Sequence, residues 1–123
     1  QLPFFEALIR GVLCNTLVCL AVWLAFAAHT VPGKVMAVIF PVTAFVALGF
    51  EHSVANMYLI PVGFVAAQDV ATVTTSGLTT EALSTLTPAG FMANLIPVTI
   101  GNILGGSVLV AAVYWLCYLR PSK

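Results

Sequence analysis

The chain has 123 residues and zero formal net charge at neutral pH; 7% of its residues are charged, 61% are hydrophobic, and the mean hydropathy is +1.10. Soluble domains carry about 25% charged residues, so this balance excludes a soluble globular class and predicts an all-α integral membrane protein with room for about three spanning segments. No basic run is present that could meet nucleic acid, so the expected surroundings are the lipid bilayer and no nucleic acid.

The start, Gln1-Leu2-Pro3, lacks an initiator Met and the basic stretch and small-residue cleavage site of a signal peptide, and reads as an internal piece of a longer membrane protein. A first span is predicted over about 4–28, opened by Pro3 and Glu6, with 18 uncharged residues from Gly11 to Ala28. Arg10 can snorkel or pair with Glu6 at i,i+4. Trp23 reads either as an interfacial anchor or as a packing residue. Asn15, about one turn inside, reads as an inter-helix hydrogen-bonding group. The stretch from His29 to Lys34, containing Pro32-Gly33, is predicted to be a turn with a solvated His29.

The second segment, about 35–67, is overlong. Its 33 residues would make a helix of about 50 Å, against a bilayer core of roughly 30 Å. No Asp, Glu, Lys, Arg or His occurs in it except Glu51 and His52. Two half-helices meeting at Gly49-Phe50-Glu51-His52-Ser53 fit better. Gly49 permits torsions that other residues resist, Ser53 is predicted to cap the following helix, and Asn56 lies one turn beyond His52. Pro41 and Pro61 are each expected to bend their half-helix or start it afresh. From about 68 to 90 the chain turns Thr/Ser-rich and acidic (Asp69, Glu81), predicting an exposed outside loop with a short helix near 80–86. The third span, about 91–118, contains Gly101 and Gly105 in GxxxG spacing with Asn102 between them, Pro97 before, and Tyr114, Trp115 and Tyr118 as an aromatic belt. Lys34, Arg120 and Lys123 assign their ends to the cytoplasm.

A carboxylate and an imidazole at membrane depth cost several kcal/mol unless paired or facing water, so they are functional candidates. A broken helix there would offer unpaired N–H groups and the positive end of its dipole to an anion, with Asn15, Asn56 and Asn102 as amides available to Glu51. Enzymatic chemistry is not expected: adjacent side chains diverge, and no nucleophile motif accompanies them. Two histidines, one of them in a loop, do not make a metal site, and no cofactor is expected. Cys14, Cys19 and Cys117 lie in apolar segments without C-x-x-C spacing and read as small apolar fillers.

Three stretches, Cys14-Asn15-Thr16-Leu17-Val18-Cys19-Leu20-Ala21, Gly49-Phe50-Glu51-His52-Ser53-Val54-Ala55-Asn56-Met57 and Gly101-Asn102-Ile103-Leu104-Gly105-Gly106, resemble in order the formate/nitrite transporter family, nearest to formate channels. The resemblance covers nearly the whole chain and matches the family's C-terminal half. It implies helices four, five and six of an aquaporin-like six-helix inverted repeat, with helix five broken, in a homopentamer whose protomers each have a pore. On this resemblance His52 is the central pore histidine, Glu51 bonds the helix-four asparagine Asn15, Asn102 approaches from helix six, and Leu48, Phe50 and Val54 are constriction candidates. The family's other broken helix, its pore threonine and a lysine just upstream of helix four have no counterpart in this chain.

The expected function is passage of small monovalent anions, formate first and nitrite second, with protons, across the bacterial inner membrane in a multi-pass protein. His52 would lend a hydrogen bond or a proton. The alternatives are an aquaporin-like pore for neutral solutes and a non-transporting structural subunit of a membrane complex.

Overall fold

A computed structural model describes residues 2–77, 79 and 83–120. Among them the secondary structure is helical, without strands: α1 (Phe4–Ala27), α2 (Val31–Ala47), α3 (Ser53–Ala66), α4 (Val70–Ser76) and α5 (Pro88–Leu119). The last of these turns π-helical over Gly105–Ala112 and Trp115–Leu119. With 24 and 32 residues, α1 and α5 are each long and apolar enough to cross a membrane, whereas α2 has 17. At 1.5 Å per residue, α2 reaches about 25 Å and α3 about 21 Å, each short of a roughly 30 Å bilayer core.

Helix α1 begins after Pro3, with Glu6 in its first turn, as the sequence suggests. Its connection to α2 is shorter than predicted. Pro32, Gly33 and Lys34 belong to the first turn of α2, capped by the Thr30 hydroxyl, which accepts the Gly33 N–H at 3.2 Å. A proline fits there because first-turn N–H groups have no helical acceptor to lose. His29 is exposed. Neither Pro41 nor Pro61 begins a new helix; α2 and α3 each run through theirs. The interruption falls instead at Leu48–His52.

The core is the seam between α1 and α5. Among the described residues, Ala7, Cys14, Ala21, Leu95 and Val98 are the buried hydrophobic side chains, all on these two helices. Gly101 lies so close to α1 that a Cβ there would fall on the Leu8 carbonyl, and one at Gly105 on the Val12 carbonyl. Residues 8 and 12 thus face 101 and 105 in the same sense, so the helices run parallel and the GxxxG patch serves backbone-to-backbone contact between them. At the far end Trp23 meets Tyr114 and Tyr118 edge to face, with ring centroids 6.0 and 6.3 Å apart. That contact places the start of α2, with Lys34, and the end of α5, with Arg120, at one end of the unit. Large apolar side chains elsewhere remain open, Phe5 at 76% and Phe26 at 78% exposure, as in a surface meant for lipid or further protein.

The segment predicted as a polar loop holds more helix than its composition suggests. Asp69 accepts the Thr72 N–H at 3.0 Å and starts α4, which Gly77 ends in the left-handed region (φ 65°). A bend of 113° separates α3 from α4. The short helix expected near 80–86 is helical at Leu83 and Ser84; Thr80, Glu81 and Ala82 lie outside the described residues, as does Lys123. Helix α5 starts three positions before the predicted boundary, because the Thr87 hydroxyl caps it by accepting the Gly90 N–H at 3.0 Å, with Pro88 in the first turn.

Candidate functional site

The break is built from both ends by local rules. At the end of α2, Gly49 takes φ 64°, a conformation that L side chains resist. Around it the Phe50 N–H bonds the Phe45 carbonyl at 2.9 Å and the Gly49 N–H bonds the Val46 carbonyl at 3.1 Å, the paired closure of a glycine-terminated helix. Three residues later α3 begins with His52, not Ser53, as its N-cap. The extended backbone of His52 turns its Nδ1 onto the Ala55 N–H at 3.3 Å. The imidazole also stacks on Phe45, centroids 6.1 Å apart and planes 25° from parallel.

Asn102 arrives from α5 and ties this geometry together. Its Oδ1 accepts from the Ser53 N–H and the Ser53 hydroxyl, each at 2.9 Å. Its Nδ2 donates to the Gly11 carbonyl at 2.8 Å and the Glu51 carbonyl at 3.1 Å. A primary amide offers two donors and two acceptor sites, and here all four are used. One side chain, 6% exposed, therefore joins α1, the break, the first residue of α3 and α5. Ser53, predicted as the cap, has its hydroxyl on Asn102 instead.

The carboxylate of Glu51 differs from expectation. The resemblance pairs it with Asn15, but its Oε2 accepts from Asn56 Nδ2 at 2.6 Å and from Asn94 Nδ2 at 3.3 Å. Asn56 Nδ2 also reaches Asn94 Oδ1 at 2.8 Å, so Glu51, Asn56 and Asn94 form a closed triad between the break, α3 and α5. Asn15 bonds the backbone carbonyl of Asn102 at 2.6 Å, across a seam kept open by Gly106. The amides decide it: Asn15 Nδ2 is taken by the Asn102 backbone carbonyl, while the Asn56 and Asn94 amides stand within reach of the Glu51 carboxylate.

The first turn of α3 is also less free than a bare helix start. The Ser53 and Ala55 N–H groups are already engaged by Asn102 and His52, so an anion there would meet the helix dipole and side-chain donors rather than those two amides. Leu48 and Val54 point outward, 61% and 65% exposed, and Phe50 is half-buried. Among the described residues no three His, Cys, Asp or Glu side chains gather as metal ligands.

Two participants escaped the sequence reading. Asn94 is a second amide in an otherwise apolar span, a signal of the same kind that singled out Asn102. Arg10 pairs with Glu6 as expected, Nη2 to Oε1 at 2.6 Å, but its Nη1 also donates to the Gly49 carbonyl at 2.8 Å. That contact follows only once α2 has folded back along α1.

Comparison with known proteins bears on the family and the fold. A sequence model described as formate/nitrite transporter matches residues 1–116. The chain is 48% identical over 123 residues to the formate channel FocA of Escherichia coli K12, covering 97% of this chain and 43% of that protein. It is 48% identical over 120 residues to a probable formate transporter of Methanothermobacter thermautotrophicus, covering 98% and 38%. Among solved structures, a pentameric formate channel with formate bound superposes with a TM-score of 0.84 at 41% identity, over 98% of this chain and 48% of that one. The chain thus spans less than half the length of the curated relatives it matches. On sequence and fold together, it belongs to the formate/nitrite transporter family.

Proposed function

We propose that this chain forms one wall of a transmembrane pathway for small monovalent anions, formate first and nitrite second, in a homopentamer of the bacterial cytoplasmic membrane. The Lys34 and Arg120 end faces the cytoplasm on this reading. The similarity to formate channels and to a pentamer that binds formate supports the substrate class and the assembly. The six-helix inverted repeat of the family would set this break opposite a second one.

The observation that carries the reading is the placement of His52. Its Nδ1 accepts the Ala55 N–H, which leaves Nε2 as the protonated nitrogen of the neutral ring. Nε2 has no hydrogen-bond partner among the described residues, so it can donate to one oxygen of a carboxylate. Giving up a proton outright requires the imidazolium, with a hydrogen on Nδ1 in place of the cap; losing that cap costs about 1 kcal/mol. Hydrogen-bond donation is therefore the easier role, and proton donation is coupled to loosening the start of α3. An anion stripped of water pays far more than its neutral acid to cross the apolar constriction at Leu48, Phe50 and Val54, so passage as the protonated acid lowers the barrier. The Glu51 side chain, held by the Asn56 and Asn94 amides, belongs to the scaffold of the break.

The test is formate flux into proteoliposomes containing the full-length protein, measured across pH for wild type and His52→Phe. Loss of flux together with an altered pH dependence is expected. Unchanged flux and pH dependence contradict the role of His52. Glycerol or water passage without anion flux would favour a neutral-solute pore, and absence of any solute-specific flux would favour a structural subunit.

A further inference from the structure

We propose that Arg10 is a positioning residue for anion passage: by clamping the Gly49 carbonyl it fixes the left-handed turn that ends α2, and so sets where the His52 ring stands. The proposal rests on the reading of His52 as the group that meets the permeant.

The left-handed turn at Gly49 satisfies the N–H groups of Gly49 and Phe50 from within α2. It leaves the Gly49 carbonyl directed away from the helix, and Arg10 Nη1 takes it at 2.8 Å from 39 positions away in the chain. The guanidinium is itself held, since Nη2 bonds Glu6 one helical turn earlier. A fixed cation at this point also opposes the negative end of the α2 dipole. Downstream, Asn102 holds the Glu51 carbonyl and the Ser53 N–H from the α5 side. Arg10 is the matching hold from the α1 side, and the turn it grips contains Phe45, on which the His52 ring stacks. With both holds in place the five residues of the break are pinned between α1 and α5. With Asn102 alone, the upstream half can swing. Arg10 need not touch the anion for this, because both of its observed bonds go to protein.

The competing description is an exposed ion pair with Glu6 that does little. Three variants of the full-length protein separate the two: Arg10→Gln, Arg10→Lys and Glu6→Gln. Loss of a charge-assisted bond at the turn is expected to lower the maximal formate flux of Arg10→Gln about tenfold while changing the half-saturating concentration by less than about twofold. Lysine can still offer one donor to the carbonyl, so Arg10→Lys is expected within about threefold of wild type, and Glu6→Gln within about twofold. Independently of flux, amide hydrogen exchange over residues 49–53 is expected to accelerate in Arg10→Gln and not in Glu6→Gln. Wild-type flux and exchange in Arg10→Gln would overturn the proposal. So would a raised half-saturating concentration at unchanged maximal flux, which would make Arg10 an anion ligand instead. Should Arg10→Gln fail to assemble, Arg10→Lys decides: near-normal flux and exchange support the clamp, and lost flux with unchanged exchange overturns it. A wild-type protein that carries no formate would defeat the proposed function, while the exchange comparison would still report on the clamp.

Discussion

Among the described residues two interruptions, the one at Leu48–His52 and the one around α4, use similar local devices. At both places a glycine ends a helix in the left-handed region, Gly49 at φ 64° and Gly77 at φ 65°. His52 caps the helix that follows Gly49 by accepting the Ala55 N–H, and Asp69 caps the helix that Gly77 ends by accepting the Thr72 N–H. The surroundings differ. A Cβ on Gly77 would meet none of the described residues within 4 Å, whereas one on Gly49 would meet Arg10 Nη1 at 3.2 Å. The Asp69 cap is entirely local, while the break before α3 is joined to α1 and α5 through Arg10 and Asn102. Local chemistry makes a turn in each case; only tertiary partners make one of them a fixed site.

The sharpest way to break that contrast is Asn102→Ala. It strips partners from the Ser53 N–H and hydroxyl and from two backbone carbonyls at once, and is expected to cost about 3–5 kcal/mol, read as lowered thermal stability of the detergent-solubilised protein. An Asp69→Ala variant is expected to leave that stability unchanged within error. If both variants behaved alike, the distinction between the two breaks would fail.

The paired substitutions Gly49→Ala and Gly77→Ala sharpen the contrast further. Each forces alanine into a left-handed turn at about 1–2 kcal/mol. The expected outcome is reduced formate flux for Gly49→Ala, where the turn is clamped next to His52, and normal flux for Gly77→Ala, where α4 alone absorbs the strain.

The location of the break was legible in the sequence, because two ionisable residues in an otherwise uncharged 33-residue tract demand a structural excuse. Asn15 and Asn102 were legible for the same reason. Partner choice was not. Glu51 has several amides within a few turns, and whether Asn15 or the pair Asn56 and Asn94 takes its carboxylate depends on how α5 lies against α3. Arg10 carries a visible i,i+4 partner in Glu6, which conceals its second bond to a residue on another helix. Helix α4 was hidden by a Thr/Ser-rich composition, although Asp69 and Gly77 stand at its two ends as cap and stop. The Pro32-Gly33 pair was read as a turn because such dipeptides usually are; Thr30 in front of it made it a helix start.

The smallest expected effect concerns the local break alone. The Thr72 hydroxyl and N–H donate to the Asp69 carboxylate and hold its pKa below its ordinary 3.8. A depressed carboxylate contributes stability that is present above the unfolded value and lost as pH falls through the folded one. The cap on α4 is therefore expected to persist at neutral pH and to weaken only below 3.8, seen as faster amide exchange at Thr72 while exchange at Ser53 stays slow. Parallel loss at both sites would mean that the two breaks are coupled.

The central claim, that the break presents His52 to the permeant through Nε2 while Nδ1 caps α3, is tested most directly by histidine nitrogen NMR of the full-length protein, with His52→Gln assigning the signals. The account predicts an imidazole protonated on Nε2, with formate addition shifting the Nε2 resonance and leaving Nδ1 an acceptor. A ring protonated on Nδ1, or formate binding that leaves Nε2 unmoved, would contradict it.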